Sequence, residues 1–203
     1  MTELSRSPLG VDVALAARAG RYALDEIGAL AIADLDRPTP CADWDVRSVV
    51  AHLADVAGAL AGLLATGRLT MPQSPARPVD GPMVGAQRRV QQLLDQLHAA
   101  GEQGSHGRPA PWATEAAHGA AIEFTAHGWD VAAARGRAQQ LPADLAEDVL
   151  TLVSGLLDDS ARGTSFAAQV ISGPDASPVE RLVAFTGRDP APWIRSGPLI
   201  STT

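Results

Sequence analysis

Glu123 and His127 stand four residues apart, a spacing that on a helix sets both side chains on one face, one turn apart, where they can chelate a single ion. The same face carries Ala120, Phe124 and Val131, so the pair points toward apolar surroundings. Taken alone, a helical Glu and His at this spacing are commonly a simple surface pair. His52 adds a third donor. It falls on the stripe marked by Val49, Val56, Leu60 and Leu63, which faces a helical core. A lone inward histidine is commonly a hydrogen-bonded core residue, but an inward histidine on one helix with a Glu/His pair on another is how helical bundles build internal metal sites. Two imidazoles and one carboxylate form a zinc-type donor set that leaves a position open for water or substrate.

Asp130, three residues after His127, can accept from the second ring nitrogen or from Arg47 or Arg135, with a surface or packing role as the alternative. Trp129 points partly away from His127, and Trp44 reads as a core anchor at the start of a helix. Cys41 lies beside a predicted helix N-terminus, where the dipole would depress its pKa, although free cysteines usually behave as small buried hydrophobes. It is the one cysteine in the chain, so there is no intramolecular disulfide and no CxxC zinc cluster, and any metal must be held by His and carboxylates. His118 lies nine residues before His127 and on the opposite face; His98 and His106 read as surface. Arg181 and Arg188 are expected to tie the C-terminal segment to the rest, or to offer a substrate carboxylate a guanidinium.

The elements that must position these groups are helical. Apolar residues at three- and four-residue steps predict a first helix over about Val11 to Leu35, broken by Arg37-Pro38-Thr39-Pro40. Asp43 or Asp45 caps a second, Val46 to Thr66, and Gly67 stops it. The four prolines in Met71 to Pro82 make a loop. A third helix is predicted over Val84 to Ala100, ending at Gly101, and a fourth over about Thr114 to Arg135, stopped by Gly136, with a shorter one after Pro142. Beyond Ser160, Phe166 to Ile171 reads as a short extended segment, and Ser177, Pro178 and Glu180 open a last helix to Phe185 with a capping box. The fold expected is all-α: an antiparallel four-helix bundle over residues 1–160, crossed over through the proline-rich loop, with a partly extended C-terminal extension, 161–203, wrapping the same domain.

The chain has 203 residues, 46% hydrophobic and 19% charged, which suits one globular domain. Its net charge is -7 and its sixteen basic residues are all arginine, a balance that argues against a nucleic-acid partner. No run approaches the roughly 18 to 20 uninterrupted apolar residues of a membrane span, and the first six residues lack the order of a signal peptide. The expectation is a cytoplasmic protein without a membrane partner, monomer or homodimer, acting on a small molecule.

Three blocks carry a resemblance: Thr39-Pro40-Cys41-Ala42-Asp43-Trp44-Asp45-Val46-Arg47 with Val50-Ala51-His52-Leu53, then Glu123-Phe124-Thr125-Ala126-His127-Gly128-Trp129-Asp130, then Ser177-Pro178-Val179-Glu180 through Gly187-Arg188-Asp189-Pro190. In this order they resemble the metal-binding family named for the N-terminal domain of mycothiol-dependent maleylpyruvate isomerase, within the DinB/YfiT-like superfamily of four-helix bundles. The resemblance implies that His52, Glu123 and His127 ligate a divalent metal, usually zinc, at an open end of the bundle. It also implies thiol-dependent isomerase or transferase chemistry, with zinc favouring the thiolate of mycothiol or a related cofactor, which attacks an electrophile, or polarising a substrate carbonyl. The sequence ends at Thr203, short of the additional C-terminal domain of the maleylpyruvate enzymes, which leaves the substrate open. The alternatives are a metal-dependent hydrolase or tailoring enzyme that uses no thiol, and a non-catalytic small-molecule binding or resistance protein.

Overall fold

The computed structural model describes residues 7–72, 81–107, 111–157, 162 and 166–194. Among these the chain is all-α: α1 Pro8–Gly28, α2 Val46–Thr66, α3 Pro82–Ser105, α4 Ala113–Ala134, α5 Ala143–Leu156, α6 Pro178–Phe185 and α7 Ala191–Ile194, with short 3-10 turns at Ile32–Asp34 and Ala138–Gln140 and no strand. The four long helices make a ring of contacts in the order α1, α4, α2, α3 and back to α1, and α5 packs against α4, α1 and α6. The expected division at residue 160 lies outside the described residues, as do 73–80 of the proline-rich loop and the tail beyond Ile194.

Local chemistry sets most boundaries. Asp45 caps α2, its Oδ1 accepting from Ser48 N–H at 2.8 Å, and Gly67 closes the helix with φ 70 and a bond to the Leu63 carbonyl. The Ser177/Glu180 capping box opens α6 with both reciprocal bonds made, at 3.2 and 2.8 Å. By length and composition α2 would also suffice to cross a membrane; in the fold it packs between α3 and α4.

Two expectations are corrected. The first helix ends at Gly28 and not Leu35, because Ala31 turns extended and the Asp34 carboxylate accepts from Ala31 N–H at 2.9 Å, a local bond that competes with the helical ladder. The third helix starts at Pro82 and runs through Gly101 to Ser105, with Gly101 buried inside it and Gly104 so close to α1 that a Cβ would meet Leu9 Cδ2 at 2.9 Å. The left-handed glycine is instead Gly107, φ 70. Phe166 to Ile171, expected as an extended segment, is neither helix nor paired strand; it lies beside α6 with one backbone bond to it, Val170 N–H to the Ala184 carbonyl.

α4 is the buried spine. Every residue from Phe124 to Ala133 is buried, and its alanines and glycines let α1 come close. A Cβ at Gly128 would lie 3.0 Å from the Tyr22 ring and 3.3 Å from Ala23 Cα. On the other edge, buried Glu26 of α1 holds Arg135 and Arg137, at 3.1 and 3.2 Å, where α4 ends. We expect Gly128→Ala to lower stability by about 1 kcal/mol, because overpacking against a ring and a backbone atom exceeds the helix-propensity gain of about 1 kcal/mol. Thermal melts should show Tm falling by about 2–4 °C; an unchanged or higher Tm would mean that α1 simply moves away.

Candidate metal centre

The contact of α2 with α4 brings the three predicted donors together. His52 Nε2 lies 3.2 Å from Glu123 Oε2, and His127 Nε2 lies 3.4 Å from the same oxygen. The donor atoms of the three residues all lie within 4.8 Å of one another. The imidazoles meet edge to face with centroids 4.7 Å apart. His127 is buried, while His52 and Glu123 are partly open to a cavity of about 610 Å3. A second hollow, about 690 Å3 between α1 and α3, is lined by Asp25, Gln87 and Arg88 and holds no histidine or cysteine.

Behind His127 is a buried carboxylate. Asp130 Oδ2 lies 2.9 Å from His127 Nδ1, and Arg188 grips the same acid through Nη2 to Oδ2 at 2.9 Å and Nε to Oδ1 at 3.3 Å. Burial alone would raise the Asp130 carboxyl, but the Arg188 charge and the His127 bond outweigh it and hold it below the usual carboxylate range. An ionised Asp130 has no proton, so His127 Nδ1 must donate to it. The 3.4 Å approach of Arg188 Nη2 to His127 Nδ1 is then two donors sharing one oxygen.

That assignment decides what faces Glu123. With Nδ1 committed as a donor, a neutral His127 presents its Nε2 lone pair to the Glu123 carboxylate, two acceptors that need a cation between them. Without metal the cation is a proton. Burial disfavours it, yet the bonds to Asp130 and Glu123 and their charges raise His127 above the ordinary imidazole range. Burial likewise opposes ionised Glu123, but bonds from His127 and His52 hold it well below the usual range. The separations of 3.2 and 3.4 Å are long for charge-assisted hydrogen bonds, about 2.7–2.9 Å. They match the roughly 3.3 Å between neighbouring donors of a tetrahedral ion bonded at about 2.0–2.1 Å. The donor set therefore fits a small divalent metal of the zinc type.

Of the partners expected for Asp130, His127 is found and the arginines differ: Arg47 pairs with Asp36 at 2.8 Å and Arg135 with Glu26 at 3.1 Å. The cation is Arg188, delivered by the turn after α6. Gly187, at φ 87, allows that turn, and a Cβ there would meet Ala167 Cβ at 2.6 Å. Arg188 thus ties the C-terminal segment to α4, as expected, while Arg181 faces Glu147 at 3.5 Å. Trp44 packs against the core from a partly exposed position, and its ring also stacks on His127 with centroids 5.7 Å apart and meets His52 edge-on at 4.9 Å. No periodicity marks it, since it sits in the turn before the Asp45 cap. Trp129 is buried, its indole N–H donating to the Ala138 carbonyl. Cys41 is half-buried at the cavity wall, four residues before the Asp45 cap, and burial pushes its thiol up, opposite to the dipole expectation. His118 pairs with Asp12 at 3.1 Å, and His98 is exposed beside Glu102.

The model of the mycothiol maleylpyruvate isomerase N-terminal domain matches residues 16–132, a span that includes His52, Glu123, His127 and Asp130 and stops short of Arg188. Two uncharacterised proteins of Mycobacterium tuberculosis, from the strains CDC 1551 / Oshkosh and ATCC 25618 / H37Rv, are each 27% identical over 162 residues, covering 76% of this chain and 85% of the relative. No solved structure matches significantly.

Because His127 is raised in the folded protein, its contribution to stability is complete below the ordinary imidazole value of about 6.5 and is lost as pH climbs through the raised value. Metal-free protein melted from about pH 6 to about pH 9 should lose Tm, and His127→Gln should flatten the slope. A parent Tm that rises across this window would contradict a proton held between His127 and Glu123.

Proposed function

The chain belongs to the mycothiol maleylpyruvate isomerase N-terminal domain family, and from that premise we propose a divalent-metal-dependent enzyme, with His52, Glu123 and His127 as ligands, in which a small thiol of the mycothiol type attacks a small electrophile in transferase or isomerase chemistry. The observation that carries the reading is the convergence of two imidazole nitrogens on one carboxylate oxygen at a cavity wall, with one ring locked by a buried acid. A bound divalent ion, zinc by the donor set, supplies Lewis acidity that favours the thiolate over the thiol.

The residues of the chain set the conditions for this. Asp130 keeps a proton on His127 Nδ1, so that Nε2 remains a donor toward the cavity. Arg188 keeps Asp130 ionised. Trp44 covers one face of His127 and keeps bulk water from the ring. The cavity, walled by Val56, Leu60, Ile122 and Phe166, holds an electrophile beside the donors in surroundings where a thiolate is poorly hydrated and reactive. Cys41 lines the same cavity, and burial pushes its thiol up in the metal-free protein.

Protein purified without a histidine tag is expected to carry about one divalent ion per chain by elemental mass spectrometry, and His52→Ala to lose it. Turnover of a model electrophile should require added thiol and fall by about 100-fold or more in His52→Ala. Turnover that persists without thiol would move the assignment to metal-activated water, and stoichiometric binding without turnover to a carrier. Asp130→Asn should lower Tm, because it leaves the buried Arg188 without its carboxylate, and, in the protein that remains folded, weaken metal affinity by about 10–100-fold, read by competition with a chromogenic chelator.

A further inference from the structure

The cavity has two chemically different ends. Its polar end holds the donor triad, Cys41 and Arg188. From there it runs along α2 and α4, past Val56 and Leu60 on one side and Ile122 and Gly119 on the other, toward Leu69 and Met71. Among the described residues that line it, the formally charged side chains are Glu123 and Arg188, both at the triad end. Arg188 is already neutralised: two of its nitrogens bond Asp130 and Nη1 donates to the Thr186 carbonyl at 3.0 Å. A carboxylate held between Val56, Leu60 and Ile122 would lose its hydration with no cation among the described lining residues at that level to receive it.

The apolar end also shows features of a binding surface left open. Leu69 and Met71, at 61% and 43% exposure, are apolar side chains open to solvent, and both line the cavity. Gly119 keeps the wall thin. A Cβ there would come within 3.0 Å of Leu60 Cδ2, so any side chain would press Leu60 into the cavity. The cavity volume of about 610 Å3 extends well past the donor triad.

From these observations, and resting on the metal-centre reading above, we infer that the site takes substrates whose non-reacting part is an uncharged alkyl or aryl group lying between α2 and α4 toward Leu69 and Met71, and that it discriminates against substrates with a second carboxylate there. The selectivity comes from apolar burial of the tail along Val56, Leu60 and Ile122, where no described lining residue carries a positive charge.

Calorimetric titration with three hydroxamates that share a metal-chelating head tests this. Acetohydroxamate has no tail, octanohydroxamate has an apolar tail, and suberic acid monohydroxamate has the same length with a terminal carboxylate. On metal-loaded protein, octanohydroxamate should bind at least about tenfold more tightly than either of the others. Gly119→Val should shrink its advantage over acetohydroxamate to less than about threefold, and Leu69→Ser/Met71→Ser, a change at the exposed rim that spares the core, should reduce it in the same direction. Octanamide and 7-carbamoylheptanoate, titrated into metal-stripped protein, read the tail preference without the ion. Loss of acetohydroxamate binding with the octanamide preference intact would overturn the metal-centre reading and support the tail site. Equal or tighter binding of the carboxylate-tailed partner in either pair would overturn the inference.

Discussion

Asp130 is a carboxylate sealed inside an apolar helix bundle, and its charge dictates the arrangement around it. An ion in that position must be paired. The chain pairs it twice, with the Arg188 guanidinium from the C-terminal segment and the Nδ1 proton of His127 from its own helix. The first pairing draws a segment 58 residues away onto α4. The second fixes the tautomer of a ring whose other nitrogen faces Glu123. A buried pair of this kind is a weak stabiliser once desolvation is counted, so its effect is on orientation more than on stability.

The rest of the fold supplies what that pairing needs, an interior close enough to exclude water. α4 reaches it with small residues. Gly128 and neighbouring alanines let α1 approach until Tyr22 and Ala23 touch the helix backbone region, and the far side of the same turns is left for α2 and the donors. Beyond the triad, Gly119 and Leu60 face each other across the helix contact and both line the cavity. Close packing on one side of α4 and a hollow on the other follow from where its glycines fall.

Electrostatics and packing meet at Trp44. Its ring stacks on His127 and closes against His52, so both donors are held by an aromatic wall as well as by hydrogen bonds. The turn that places it is tied by Thr39, whose N–H and hydroxyl both donate to the Trp44 carbonyl, immediately before the Asp45 cap. The first turn of α2 thus orients the site and starts the helix that carries His52.

Features that depend on neighbours along the chain were legible in the sequence. Asp45 and Gly67 bound α2 because a cap and a left-handed glycine act within one turn, and the Ser177/Glu180 box acts over three residues in the same way. The Glu123/His127 spacing and the stripe carrying His52 were likewise readable, since helical periodicity alone sets which side chains share a face. What the sequence left open required distance. Leu35 had helical periodicity but lost it to the Asp34 bond, and Gly101 resembled a stop and became an interior contact. The partner of Asp130 was undecidable among several arginines, because a buried charge takes whichever cation the fold delivers, and only the turn at Gly187 brings Arg188 there. Composition and spacing determined an all-α chain with three candidate donors. Tertiary structure decided which arginine locks them, which tryptophan walls them and which end of the cavity is apolar, because burial and charge pairing depend on atoms far apart in the chain.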